Sequence, residues 1–520
     1  MSRKLSPQTA LCLGTAGAAL MFLGSFGAGA TRNRGGVLDY FGLSFLSYGH
    51  ARGLLDVALT LGLFLLVLGW ITAGWHILSQ HSAVKNRFEF ARASLWSATA
   101  PLLLAAPLMS RDVYSYLMQG AMVRDGFDPY SEGAAINPGP YLLEVSHDWR
   151  NTTTPYGPLH LWIGNGVTTA VGDNVMAGII IYKFISLAGF AAIAWAIPRI
   201  ARRLGGDPAL ALWLGVGNPV MLIHMVGGMH NESVMVGLVS LGLVACLSRR
   251  FLLGTALVGI AVSLKATAAV TLPFIVWLVV HHYAPEKAQL PKRVGVLLLG
   301  GLSVVAVSVA VVAGVTVASG TSWGWLTQIS GNSKVVNPLS GATLAADAIT
   351  PFLQLFDEEF PYNTVLDATR TAGSILMLLG LVAVWWIFRQ SERRAVMGMA
   401  LAYMVAFLFN AVTLPWYFAS SISVAGTFTP RRWLTRLIIG ASVVVALAFS
   451  GSGNHRFYDG FWMLLVLIIA WFTTAYVLPR SSTSPVVARE PEGTRSTKPP
   501  RAWHLERFQV LRTPLLGRDG

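Results

Sequence analysis

Apolar runs long enough to cross a bilayer recur along this chain from Leu11 to Leu478. A hydrocarbon layer of ~30 Å takes about 20 helical residues to cross. Inside it, backbone polar groups find partners only within helices or closed barrels. The runs lack the apolar–polar alternation of barrel strands, so they are read as helices. Of the 520 residues, 54% are hydrophobic and 12% charged. That charge share is about half that of a soluble domain, and one globular core stops growing near ~250–300 residues. An all-α polytopic membrane protein is expected. A soluble enzyme, a secreted disulfide scaffold and a disordered tail protein are excluded.

Fourteen transmembrane helices are expected, at 10–30, 54–78, 94–109, 174–198, 208–228, 233–248, 251–265, 267–282, 294–319, 371–388, 395–414, 416–429, 434–450 and 461–478. The first is read as a retained helix rather than a signal peptide. The net charge of +14 does not call for a nucleic acid partner, because the basic residues sit in short loops. Those loops lie at Lys85/Arg87/Arg92, Arg199/Arg202/Arg203, Arg249/Arg250, Lys287/Lys292/Arg293, Arg389/Arg393/Arg394 and Arg431/Arg432/Arg436. With the fourteen spans, all six fall on the side of Arg3 and Lys4, which the positive-inside rule makes cytoplasmic. Both termini are then cytoplasmic, in a multi-pass plasma-membrane protein.

Two large loops, at about 110–158 and 319–370, face the outer side. The first carries six acids against three arginines. Long loops in a compact protein are usually functional. The apolar stretch 159–172 is too short to span and is expected as an interfacial helix on that side. Residues 1–478 form the transmembrane domain, and 479–520 read as a disordered basic cytosolic tail. Within the tail, Trp503 to Leu511 offer an amphipathic stretch to anionic membrane lipids. The two cysteines, Cys12 and Cys246, lie in apolar runs and read as small buried hydrophobes. Nothing in the sequence sets the oligomeric state.

There is no phosphate-cradling loop, dinucleotide fingerprint or metal-type Cys/His spacing. Chemistry is instead sought where ionisable residues meet apolar runs. Asp112, in Ser110-Arg111-Asp112-Val113-Tyr114-Ser115-Tyr116, follows the third run directly. A carboxylate there is partly desolvated, which favours a general base; a helix N-cap is the alternative. Asp128 in Gly126-Phe127-Asp128-Pro129-Tyr130 also fits a plain turn. Tyr156, in Pro155-Tyr156-Gly157-Pro158, offers a ring to a sugar or to the headgroup level. Next come Asn218-Pro219, then Gly227-Gly228-Met229-His230-Asn231-Glu232, where His230 suits a phosphate and Glu232 a carboxylate role. An ordinary solvated turn fits these residues equally. Lys265 interrupts an apolar stretch; such a cation faces a polar cavity or snorkels to headgroups. Pro415-Trp416-Tyr417 opens a short span with two rings for a sugar or isoprenoid, or for an aromatic belt.

In this order the motifs resemble the C-superfamily (GT-C) of membrane glycosyltransferases. More narrowly, they resemble the polyprenol-phosphomannose-dependent α-(1→6)-mannosyltransferases of actinobacteria, over about residues 50–430. The resemblance implies a polyprenyl-phosphomannose donor in the outer leaflet. It also implies a lipid-anchored mannan acceptor growing toward lipomannan and lipoarabinomannan, and an inverting transfer with the active site on the outer (periplasmic) face. It gives Asp112 the role of base, with Arg111, His230 and Lys265 as donor-phosphate contacts. Tyr116, Asp128, Tyr130, Tyr156, Glu232, Trp416 and Tyr417 become substrate contacts. Many relatives carry a paired acidic motif where this chain has Arg111 and Val113 around Asp112, so no cofactor and no divalent metal are expected. A neighbouring cation would lower the pKa of Asp112 while burial raises it. Another polyprenyl-phosphate sugar, such as arabinofuranose, is the alternative within the superfamily. A lipid-linked-sugar transporter or flippase is the alternative outside it, against which stands the lack of an inverted repeat.

Overall fold

A computed structural model describes residues 5–30, 37–329, 336–428 and 430–478. The tail expected at 479–520 lies outside them. The described residues are helical, apart from turns and one isolated bridge between Phe449 and His455. Helices begin where the sequence supplies caps. The side chains of Asn86, Asn174 and Asp459 accept from Glu89 N, Ala177 N and Trp462 N, at 3.1, 3.0 and 3.0 Å.

Each expected apolar run falls mostly on helix, but residues 104–109, 410–414 and 448–450, at the ends of three runs, are not helical. Seven helices are by themselves long and apolar enough to cross a membrane: Pro7–Ala28, Gly49–Leu78, Val175–Arg203, Ala266–Tyr283, Leu290–Ser319, Tyr362–Ile387 and Gly460–Val477. The run at 208–228 is a pair, Pro208–Val216 and Pro219–Gly227, bent by 53°. Pro219 has no N–H to continue the helix, and Asn218 caps the second half by accepting from Val220 N at 3.0 Å. Both halves finish as π-helix, over Ala211–Val216 and Leu222–Gly227. Leu298, Leu302 and Val309 of the Leu290–Ser319 helix are exposed, as are Leu378 and Leu379 of Tyr362–Ile387. So extended an apolar surface suits lipid, not water. Of the two cysteines, Cys246 is buried as expected, while Cys12 is exposed on the first helix.

The basic loops meet at one end of the bundle. Arg87 pairs with Asp207 at 3.0 Å, and Arg249 with Glu392. Arg393 donates to the carbonyls of Leu204 (3.3 Å) and Phe428 (2.8 Å). The described chain ends are there too: Leu5 O contacts His76 Nε2 at 2.9 Å, and Leu478 O accepts from Arg436. From this end the helices Arg87–Leu103, Phe251–Leu264 and Glu392–Phe409 and the bent pair run to the opposite end.

At the opposite end the segment expected as the first large loop is a folded layer. Its helix Asp112–Arg124 packs against Pro158–Val171, the expected interfacial helix. The two cross at glycines: a Cβ on Gly120 would lie 2.2 Å from the carbonyl carbon of Gly164. Gly166, on the same second helix, has nothing within 4 Å of its Cβ position. Gly120→Ala is therefore expected to destabilise the detergent-solubilised protein by about 1–3 kcal/mol. Gly166→Ala should be neutral or stabilising by up to about 1 kcal/mol. Thermal unfolding of both variants checks this, and equal shifts would contradict the crossing.

Candidate active site

Four chain segments bring side chains together at this end. The first is the start of the Asp112–Arg124 helix. Asp112 is the first helical residue, not the cap; that position belongs to Arg111, which makes no side-chain capping bond. The Ser110 hydroxyl instead accepts from Asp112 N at 3.1 Å. The Asp112 carboxylate is thus free of a capping duty and is only 14% exposed. One turn on, Tyr116 points its hydroxyl at Asp112 Oδ2, at a long 3.5 Å.

The second segment is the turn Gly228-Met229-His230-Asn231-Glu232. Fully buried His230 places Nδ1 3.4 Å from Asp112 Oδ2. Its ring stacks on Trp416 with centroids 3.6 Å apart and planes at 18°. Pro415–Phe418, the third segment, supplies that ring and Tyr417. The fourth is the break at Lys265, whose extended backbone ends the Phe251–Leu264 helix. Lys265 pairs with Glu232, which is 1% exposed. Its ammonium lies 4.4 Å from the Tyr417 ring centroid and 5.3 Å from that of Tyr156, within cation–π range.

Gly157 makes this last approach possible. Its N–H donates to Leu264 O at 3.1 Å, and a Cβ there would stand 2.2 Å from Ser263 O. The Pro-Tyr-Gly-Pro turn thereby closes the helix end and seats Tyr156 beside Lys265. Tyr156 also meets Tyr116 edge-on at 5.6 Å and His160 at 4.4 Å.

The structure therefore gathers Asp112, Tyr116, Tyr156, His230, Glu232, Lys265, Trp416 and Tyr417. It does not bring in Arg111, whose guanidinium donates to Glu144 O through Nε at 3.0 Å and sits 3.5 Å from the Glu144 carboxylate. Neighbours in sequence at a helix start point about 100° apart, so Arg111 and Asp112 face different partners. Asp128 is exposed and holds its own turn, accepting from Tyr130 N at 2.9 Å. Tyr130 packs against Gly324, and its carbonyl accepts from Gln328 Nε2 at 3.0 Å. Neither joins the cluster.

Residues that the motif reading passed over complete it. His160 Nε2 and the Thr154 hydroxyl share Gln119 Oε1, at 3.1 and 3.2 Å. Buried His224 lies 5.6 Å from both His230 and Trp416, centroid to centroid. For His160 and His224 the signal is the one used for Lys265, a titratable side chain inside an apolar run; Gln119 and Thr154 carry no such signal. Among the described residues, no three His, Cys, Asp or Glu side chains form a metal cage.

The electrostatics favour an ionised Asp112. Burial pushes its carboxyl up, but adjacent His230 and the charge of Lys265 outweigh burial and hold it below the ordinary 3.8. The expected cation effect is present, and it comes from these two residues rather than from Arg111. His160 is held neutral: burial first, then the charge of Lys265, push it down to about 3. The arrangement offers one available carboxylate, one held cation and a wall of rings suited to a sugar. The second carboxylate, Glu232, is committed to Lys265.

A family profile described as Alpha-(1->6)-mannopyranosyltransferase, N-terminal domain, matches residues 11–281. One described as MptB C-terminal domain matches residues 341–479. The chain is 52% identical over 484 residues to Alpha-(1->6)-mannopyranosyltransferase A of Corynebacterium glutamicum, covering 91% of this chain and 99% of that relative. It is 37% identical over 472 residues to Alpha-(1->6)-mannopyranosyltransferase A of Mycobacterium tuberculosis, covering 90% and 89%. To Alpha-(1->6)-mannopyranosyltransferase B of C. glutamicum it is 28% identical over 465 residues, covering 84% and 75%.

Asp112 with its pKa lowered stays ionised below pH 3.8, so turnover that needs the carboxylate is lost only as pH falls through that lowered value. Removing His230 deletes the largest lowering influence and leaves burial opposed only by Lys265 and Ser110. His230→Gln is therefore expected to move the acid limb of the rate–pH profile upward. An unmoved limb would show that His230 does not set the charge of Asp112.

Proposed function

The chain belongs to the alpha-(1->6)-mannopyranosyltransferase family, and from that membership we propose that it moves mannose from polyprenyl-phosphomannose to a lipid-anchored mannan. The product linkage is α-(1→6), in the assembly of lipomannan and lipoarabinomannan. A hexosyltransferase activity goes with the family; the donor, the acceptor and the residue roles are our reading. The observation that carries them is the Asp112 carboxylate, kept ionised by His230 and Lys265 where four chain segments meet.

Transfer from a β-linked donor to an α-linked product inverts the anomeric carbon and takes one displacement. The acceptor hydroxyl oxygen bonds to the anomeric carbon, and Asp112 takes its proton. The bond from that carbon to the phosphate oxygen breaks, and polyprenyl phosphate leaves with the electron pair. The leaving group needs charge stabilisation more than a proton. Lys265 supplies it: Glu232 uses one of its three donors and holds the rest in place. His230 stands between base and phosphate. Tyr156, Trp416 and Tyr417 give the sugar flat apolar faces, and Tyr116 orients Asp112. The remaining contacts assigned from the resemblance, Arg111, Asp128 and Tyr130, have no part in this scheme.

The same reading sets the protein in the plasma membrane with fourteen spans. The basic end with both termini is cytoplasmic, and the site faces outward. The meeting of five of the six basic loops with both described chain ends supports this orientation, because short basic loops stay inside. Single cysteines at Ser146, near the site end, and at Ser391, near the basic end, test it. An impermeant thiol reagent should label the first in intact cells and the second only after permeabilisation. The reverse pattern would turn the topology over.

The decisive assay is sugar transfer by purified protein to a short α-mannoside, with radiolabelled polyprenyl-phosphomannose or GDP-mannose as donor. We expect transfer from the lipid donor alone, indifferent to chelator. Asp112→Asn should lower it by about 10²–10⁴-fold with unchanged thermal stability. Normal turnover by Asp112→Asn would remove the base assignment, and transfer from GDP-mannose would remove the donor.

A further inference from the structure

The helix Val175–Arg203 carries a cation in the middle of its apolar run, Lys183, 7% exposed. A charge at such a place is costly and is seldom kept without a task. Among the described residues it has no carboxylate within ion-pair distance. Its acceptors are three main-chain carbonyls: Val226 O at 3.0 Å, Gly227 O at 3.3 Å and Leu102 O at 3.4 Å. An ammonium has three donors, so none is left for a ligand.

The three carbonyls sit at two helix ends. Leu102 is next to last in the Arg87–Leu103 helix, and Val226 and Gly227 finish the π-helix Leu222–Gly227. Such carbonyls lack intrahelical partners and form the negative ends of helix dipoles. The first end leads through Leu108, Met109 and Ser110 to Asp112. The second leads through Gly228 and Met229 to His230. Leu108 N donates to Gly227 O at 3.2 Å, so the two exits also touch each other. Each exit passes through a methionine in the left-handed region, Met109 at φ 57° and Met229 at φ 55°. Residues with side chains of that size seldom adopt this conformation unless the surroundings impose it.

One face of the Lys183 helix supplies those surroundings. Ser186, three residues on, donates to Met225 O and lies 2.9 Å from the Ser233 hydroxyl. Gly189, three further, is pressed to the backbone of Ser233, where a Cβ would stand 2.5 Å from the carbonyl carbon. Lys183, Ser186 and Gly189 thus grip the chain on both sides of His230.

We propose that Lys183 is a positioning residue for the transfer reaction: its ammonium ties together the helix ends that lead to Asp112 and to His230, and so fixes the contact between those two side chains. The proposal rests on the reading of Asp112 as the base. Lys183 touches no substrate. It also lines a cavity of about 540 Å3 with Tyr114 and Glu144, but its donors face the carbonyls. The groups bearing on Asp112 are His230, Lys265, Ser110 and Tyr116, with Glu232, Tyr156, Tyr417 and His160 around them.

The test uses the purified full-length chain with polyprenyl-phosphomannose and a short α-mannoside. Lys183→Met should lower kcat by up to about 100-fold, the scale of a small misplacement of reacting groups, and leave donor KM within about twofold. It should also move the acid limb of the kcat–pH profile upward, because His230 no longer holds Asp112. Added to His230→Gln, it should produce no further shift of that limb. An unmoved limb with a lowered kcat, or full additivity with His230→Gln, would make Lys183 merely structural and overturn the proposal. A raised donor KM with unchanged kcat would make it a donor contact and overturn it equally. If Lys183→Met is not recovered folded, Lys183→Gln, with two N–H donors and no charge, is measured and judged on the same limb. Asp112→Asn runs alongside: retained turnover there defeats the base reading itself, whereas an inactive Asp112→Asn with an unmoved Lys183 limb defeats only the positioning role.

Discussion

A helix that ends in an apolar setting leaves up to four carbonyls without intrahelical partners, and each buried group left unsatisfied costs about 1–3 kcal/mol. The candidate site lies where several helices end, so closing those ends and building the site are a single problem. Gly157 closes the Phe251–Leu264 helix through Leu264 O, and the same turn delivers Tyr156. Asn218 bridges the break in the bent pair by donating to Leu214 O and to the Ser442 hydroxyl, at 3.2 and 2.7 Å. Lys183 closes Leu102, Val226 and Gly227. The closures hand the chain on in defined directions: Lys265 follows Leu264 directly, His230 stands three residues past Gly227, and Asp112 ten past Leu102. Straight, unbroken spans would have carried these side chains past one another.

The charges inside this layer are arranged in company. A buried ion pair is costly to desolvate and often adds no net stability, yet losing one partner costs about 3–5 kcal/mol. The Lys265–Glu232 pair is therefore better explained by what it holds ready than by what it stabilises. Glu232 fixes a cation that the Tyr156 and Tyr417 rings flank. On the proposed chemistry, a phosphate arriving there meets a positive charge whose desolvation has already been met by folding. The pair also leaves Asp112 as the carboxylate without a fixed cationic partner, which separates the base from the charge holder.

Fold class was legible because apolar length and the absence of alternation exclude most other architectures. The break at Asn218-Pro219 was not read: one span was drawn through 208–228, although a proline there removes the N–H that would continue the helix. Eight of the eleven residues picked out from motifs meet in one layer, because polar groups at the ends of apolar runs have few other places to go. The exceptions are instructive. Arg111 adjoins Asp112 in sequence, but a helix start turns adjacent side chains to different partners, and Glu144 lies far along the chain. Asp128 and Tyr130 follow a turn signal, and a turn is what the structure shows. Lys183 was passed over inside a run read only as a span, although it meets the criterion applied to Lys265. What the chain could not display locally is pairing across distance: Gly120 with Gly164, or Lys183 with carbonyls at Leu102 and Val226.

A carboxyl group held below 3.8 is a weak base, which needs reconciling with the role proposed for it. The acceptor hydroxyl becomes strongly acidic only once its oxygen has begun to bond to the anomeric carbon, so a weak base suffices if it is already in place. Transition states of glycosyl transfer carry positive character on the sugar. A carboxylate that is ionised at the start of each transfer contributes its charge to stabilising that character. Removal from water strengthens the effect, since fixed charges act more strongly in a low-dielectric site. Lowering the pKa of Asp112 thus gives up basicity and gains a charge present at the start of each transfer. The demand shifts from proton affinity to position, to the place of one carboxylate relative to His230 and Lys265. That place is what the left-handed Met109 and Met229, the glycine contacts and the carbonyl-bound Lys183 hold fixed.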